Sequence, residues 1–278
     1  MQASAAGHWG TLDPAACGVL VLAIGRATRL LPLLPHARKQ YVFELILGSK
    51  TDSGDSTGRV VQRAAVHADW RLRLPLALRS MLGVTKQIPP MHSALKVEGR
   101  ALYRSARAGV EIPRSPRQVR IYALHPLVEE ELPAGGDAAT TRVRLFVECD
   151  AGTYVRVLCE DLGRELGLPA HMGMLVRVGA GEFRISESMP PHDLERQLTA
   201  AVIDPLAVLR QQRCEVDATT ARRFVHGNEI SAGCAHVADD ETLVVHAGRV
   251  LGSGQTFARA GRTSLAPVRV LADPEEIV

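Results

Sequence analysis

The sequence predicts an α+β fold that ends in a small β-rich appendage. Three observations carry this. Strands are read over 18–24, 40–47, 117–128 and 141–149, with helices over 69–82 and from Thr153 to Gly167 among them. After Leu209 the texture changes to brief apolar runs, Leu243–Val245, Val250–Leu251 and Val268–Leu271, separated by glycine-rich turns. The length of 278 residues suits one large domain plus one small one. The expected division is therefore 1–210 and 211–278.

In chain order, Gly18 opens the apolar run Val19–Ile24, which reads as a buried strand between glycines. Residues 40–47 alternate, with Tyr41, Phe43, Leu45 and Leu47 on one face. Residues 49–59 are turn formers throughout. A helix is expected over 69–82, with Asp69 as a possible cap and Pro75 as a break or kink. Ile88–Pro90 reads as extended, and Gly99 and Gly109 bracket a short basic helix. Strands are expected over 117–128 and 141–149, joined by a Pro133–Asp137 loop. The next helix runs from Thr153, as N-cap, to Gly167, as its stop.

Composition narrows the function classes. Hydrophobic residues at 46% and charged residues at 23% exclude a disordered or fibrous chain. The run Cys17–Gly25 is about half of the ~20 residues that a membrane helix needs. Met1–Gly10 has neither a basic nor an apolar region, so Ala3-Ser4-Ala5 does not read as a leader cleavage site. Five widely spaced cysteines without Cys-x-x-Cys argue against a disulfide framework or a zinc site and suit the cytoplasm. Net charge is only +3, but residues 86–120 carry eight basic residues against Glu98 and Glu111, a local +6. Such a segment is either a footprint for a polyanion or a solvated face.

Three short constellations can bear chemistry. In Gly7-His8-Trp9-Gly10-Thr11-Leu12-Asp13-Pro14, proline disfavours the helical region for Asp13, which holds a carboxylate on a stiff turn. The ordinary alternative is a helix start, with Asp13 as N-cap. In Gly152-Thr153-Tyr154-Val155-Arg156, a cation falls in the first turn of a helix, where the dipole opposes it by roughly 0.3–1 kcal/mol. Either an anion sits nearby or Arg156 is solvated. Tyr41 is either core or a stacking platform for a base. No phosphate loop, dinucleotide fingerprint, zinc helix or nucleophile elbow is present, and the ten histidines show no ligand spacing.

Together these segments resemble the bacterial tRNA pseudouridine synthase B (TruB) family. Residues 7–20 resemble its catalytic-aspartate motif, and Gly25–Leu30 follows in order. Lys39-Gln40-Tyr41 resembles its tyrosine motif, and Leu47–Asp52 with Asp55 and Gly58 the next loop. Pro89–Lys96 with Gly99, Leu102-Tyr103 and Ala106-Arg107 resembles its RNA-gripping insertion. Gly152–Arg156 resembles the arginine motif, Ala170–Arg177 the leucine-bearing segment, and Phe224–Asn228 the start of a PUA-like domain.

The resemblance implies a pseudouridine synthase fold around a mixed, mostly antiparallel sheet. It implies isomerisation of uridine 55 in the tRNA T-loop, with no cofactor, no metal, no membrane and no obligatory protein partner. Asp13 would be the nucleophile or base, and its route (C1′, C6 or C2′) stays open. Arg156 would pair with it, Tyr41 would lie against the flipped base, and Leu175 would form an apolar wall. His8 would prop the vacated loop position, and Lys39, Lys96, Arg100, Arg104, Arg107 and Arg114 would contact RNA. The chain departs from the family pattern in three places. Six residues precede Gly7 where a strand and helix are usual, Trp9 replaces a small residue, and His92 replaces a tyrosine. The alternative expectation is a tRNA-binding or tRNA-folding relative that keeps the grip without the chemistry.

Overall fold

The computed structural model describes residues 5–91, 93, 95–97, 100–102, 110–133, 140–231, 241–259 and 262–277. Its elements run β1 (Ala6–Trp9), β2 (Ala16–Gly18), β3 (Val21–Ile24), β4 (Lys39–Leu47), β5 (Ser49–Thr51), β6 (Val60–Arg63), α1 (Trp70–Ser80), β7 (Gly83–Gln87), β8 (Lys96–Val97) and β9 (Arg100–Ala101). They continue with β10 (Arg117–Pro133), β11 (Thr141–Cys149), α2 (Val155–Leu166), β12 (Ala170–Ala180), β13 (Phe183–Arg184), α3 (Pro191–Gln197), α4 (Pro205–Val208), β14 (Arg213–Glu215) and α5 (Ala218–Val225). The last strands are β15 (Ile230–Ser231), β16 (Thr242–His246), β17 (Arg249–Arg259) and β18 (Arg262–Val270). Two packing units share them. One contains residues 10–20 and 36–188, and the other contains residues 1–9, 21–35 and 189–278.

The first unit is built on a sheet of order β13-β12-β4-β11-β10-β7, antiparallel throughout, with β2 added in parallel to β12. Alternation along β4 places Phe43, Leu45 and Leu47 on the face that α1 and α2 cover. Leu158, Cys159, Leu162 and Leu166 of α2 and Trp70, Leu74 and Leu78 of α1 close that core. Burying each large side chain contributes about 1.5–3 kcal/mol. Gly167 ends α2 at φ 73°, as its place in the sequence requires. In the other unit β1 pairs with β3, and a five-stranded sheet, β14-β16-β17-β18-β15, packs on α5 around Phe224 and Leu265. Among the described residues no helix is long and apolar enough to cross a membrane.

Several local expectations change. The strand expected over 18–24 is divided, because Gly18 takes φ 105° and Val19 N–H donates to the Arg177 carbonyl. Helix α1 continues through Pro75, since its apolar stripe is anchored on both sides of the missing hydrogen bond. Asp69 stands at the cap position of α1 as expected, but its carboxylate makes no capping hydrogen bond and pairs with His67 instead. Thr153 is not the cap of α2. Its hydroxyl donates to the Asp150 carbonyl at 2.8 Å, and Tyr154 takes the cap position. The basic helix expected between Gly99 and Gly109 falls mostly outside the described residues.

Candidate active site

The loop that carries Asp13 enters through Gly10, whose φ of 84° suits glycine. No helix follows Pro14. Ala16 N–H donates to the Asp13 carbonyl at 2.9 Å, and the chain passes straight into β2. The Asp13 carboxylate is therefore not consumed by capping, and its side chain keeps 33% of its exposure. The pairs Leu175–Ala16 and Arg177–Gly18 seat this loop along β12.

Arg156 meets it from the first turn of α2. Nη2 donates to Asp13 Oδ1 at 3.1 Å, and Nε stands 2.9 Å from Asp13 Oδ2 as an ion-pair contact, so the guanidinium meets the carboxylate at two points, a fork with one hydrogen-bonded prong. Nη1 donates to the Ser53 carbonyl at 3.2 Å and lies 3.7 Å from Asp55 Oδ2. Only 3% of Arg156 is exposed. Burial and the helix dipole both disfavour a cation here, and two carboxylates offset them. Burial by itself would raise the Asp55 pKa. Hydrogen bonds from Thr57 and Ser53, together with Arg156, outweigh it and hold the carboxyl below its ordinary value. The start of α2 is fixed from β7. Gln87 accepts from Tyr154 N–H at 2.9 Å and donates to the Tyr154 carbonyl at 3.3 Å.

Tyr41 sits mid-sheet, opposite Val147 on β11 and Arg177 on β12. Burial, then Cys149, raises its pKa, Arg177 opposes them, and the Asp13 charge also reaches it. Leu175 is buried in the main core opposite Phe43. Lys39, on the same face of β4 as Tyr41, is buried as well. Burial and then the Arg177 charge lower its pKa to about 8. Asp13, Arg156, Tyr41 and Leu175 are thus brought onto adjoining strands and one helix end of a single unit.

The expected RNA contacts are dispersed. His8 is exposed on β1 in the other unit, opposite Leu22. Lys96 stands on β8 opposite Ala101, and Arg100 on β9 opposite Val97, in a two-stranded ribbon. Arg104, Arg107 and His92 lie outside the described residues. Arg114 donates to the Pro89 and Ile112 carbonyls and to Glu111, which braces the base of the insertion.

Sequence reasoning assigned no role to Asp55, Gln87 or Arg177. Asp55 reads as a turn residue, and its carboxylate does accept from Thr57 N–H at 3.0 Å. Gln87 carries no local signal. Arg177 did carry one, a lone charge inside the apolar stretch Met174–Val178, where an unpaired cation would be costly.

Residues 1–155 match the TruB family pseudouridylate synthase N-terminal domain, and residues 156–211 match the tRNA pseudouridylate synthase B C-terminal domain. The chain is 37% identical to tRNA pseudouridine synthase B of Aromatoleum aromaticum, over 98% of this chain and 85% of the relative. It is 40% identical to that of Dechloromonas aromatica, over 91% and 83%. Among solved structures, a Cbf5-Nop10-Gar1 complex contains a chain with the same fold, with a TM-score of 0.63 at 21% identity, over 98% of this chain and 78% of that one. With both family domains matched, and with relatives 37% and 40% identical covered over more than four fifths of their length, the chain belongs to the TruB family of pseudouridine synthases.

Proposed function

We propose that the chain converts uridine 55 of the tRNA T-loop to pseudouridine, with Asp13 as the reacting carboxylate. The observation that carries this reading is an aspartate one-third exposed and held by a two-point guanidinium fork. The fork fixes the direction of the carboxylate, which a nucleophile or base requires. Addition to C1′, addition to C6 and proton removal at C2′ all need such a carboxylate. The uridine reaches it only by leaving its stack, at a cost of a few kcal/mol. Stacking on Tyr41 beside Leu175 offsets that cost, and the Tyr41 hydroxyl would assist proton loss at C5. The reaction is an isomerisation, so its atoms balance without a redox partner.

His8, Lys39, Lys96, Arg100, Arg104, Arg107 and Arg114 are proposed as RNA contacts, and residues 211–278 as a small RNA-facing domain after a catalytic region of 1–210. The named relatives are tRNA enzymes, which supports tRNA as the substrate. Four free cysteines among the described residues, with the buried Cys149 thiol pushed up to about 12, suit a reducing cytoplasm.

The test is tritium release from tRNA carrying 5-tritiated uridine. Release is expected from the wild type, and none from Asp13→Asn or from tRNA with cytidine at position 55. Tight tRNA binding by the wild type with no release would favour the binding protein instead. Release by Asp13→Asn would remove Asp13 from the chemistry.

A further inference from the structure

Arg177 is one of the largest fully buried side chains, at 1% exposure. It forms no ion pair among the described residues. Instead its donors meet backbone carbonyls: Nε to Val19 at 2.7 Å, Nη2 to Gly10 at 3.0 Å and Nη1 to Thr11 at 3.3 Å. Gly10 and Thr11 precede Asp13, and Val19 follows it. The three bonds therefore hold both ends of the loop that presents the carboxylate. The backbone of Arg177 adds a fourth bond, accepting from Val19 N–H at 2.8 Å. Across the sheet, Arg177 stands opposite Tyr41, close enough for its charge to oppose the rise that burial gives the phenol pKa.

We propose that Arg177 is a positioning residue for the reaction. It closes the Asp13 loop by a three-carbonyl clamp, so that the carboxylate meets the Arg156 fork and the base stacked on Tyr41 in one fixed geometry. The inference rests on the role of Asp13 proposed above. Simple charge balance does not explain the residue, because buried charges ordinarily pair with opposite charge, whereas the hydrogen bonds of this one go to carbonyl dipoles and its charged neighbour is another cation, Lys39. Five donors in a rigid plane can bridge separated carbonyls. An ammonium group at the same place is a point and cannot span them.

The experiment compares Arg177→Lys and Arg177→Gln with the wild type, using single-turnover tritium release and filter binding of tRNA. The clamp predicts a fall of about 100-fold in the single-turnover rate, the scale of an ångström misplacement. The tRNA dissociation constant should move by less than about threefold. A merely structural role would lower rate and affinity together, or would be rescued by lysine, and either result overturns the proposal. So does a folded variant with a rate within about threefold of wild type.

Amide exchange in the unmutated protein keeps the idea testable if both variants unfold. The Val19 amide should exchange as slowly as those of β4, and fast exchange there overturns the clamp. Asp13→Asn is run alongside. If it stays active, the reading of the site has failed. If it is inactive while Arg177→Lys matches wild type, only the clamp has failed.

Discussion

The start of α2 and the middle of β12 each bury one arginine beside the same loop, and they use it differently. Arg156 faces two carboxylates, Asp13 and Asp55. Arg177 faces three carbonyls. One cation answers charge and the other answers backbone dipoles. Removing the first leaves anions uncompensated, and removing the second loosens a loop whose charges still balance. An arginine in a core thus has no single meaning until its acceptors are known.

The widest break between the two regions comes from Arg156→Met. It strands a buried carboxylate and frees Asp13, so stability should fall by about 3–5 kcal/mol. Turnover should fall by at least about 10³-fold, since the charge partner of the proposed reacting group is gone. Urea unfolding and tritium release measure both, and a near-native turnover would put Arg156 outside the chemistry.

Asp55→Asn sharpens the picture, because it keeps the shape and removes one of the two charges. Turnover should drop by about 10–100-fold with tRNA affinity unchanged, through a guanidinium held less firmly. The folded pKa of Asp55 is depressed, so its stabilisation is present above the unfolded pKa and is lost as pH falls through the folded one. Wild type should therefore lose more stability than Asp55→Asn as urea midpoints are followed from pH 6 down toward about pH 3. Parallel acid limbs would count against that carboxylate.

Lys39 probes the Arg177 side. Its folded pKa, about 8, is below the usual 10.5, so the charged form is the penalised one. The penalty is complete below about pH 8 and is relieved as pH rises toward the unfolded value. Lys39→Met should therefore gain stability over wild type at pH 7, by roughly 1–3 kcal/mol. The gain should shrink by pH 10, and a gain constant with pH would refute the assignment. The smallest effect is expected at the insertion. Replacing Arg107 and Arg114 by Ala should flatten the salt dependence of tRNA binding by roughly one unit for each phosphate no longer neutralised. An unchanged slope would mean that these side chains do not grip RNA.

Much of this was legible in the chain, for reasons that differ by residue. The period-two run from Tyr41 to Leu47 announced β4 because one face must be apolar, and Gly167 announced the end of α2 because only glycine enters that conformation cheaply. Asp13 and Arg156 were legible as motifs. Their 2.9 Å meeting across 143 positions was implied only by the family resemblance, since nothing local encodes it. Capping misled twice. Asp69 and Thr153 are ordinary cap residues, but each found a nearer partner in a side chain or a turn carbonyl. Gln87 stayed silent because its partner Tyr154 arrives from a distant helix, and Asp55 showed only its local turn because Arg156 arrives from that helix too.

Gly18 lies so close to β12 that a side-chain carbon placed there would stand 2.2 Å from the Arg177 carbonyl oxygen and 2.8 Å from its nitrogen. Both neighbours are rigid main chain, so neither can yield. Even one methyl group would act as a wedge, prising the short parallel strand off its neighbour and swinging the acid out of register. In a saturation screen for activity, this position, which has no functional group at all, should prove as intolerant as the aspartate five residues before it.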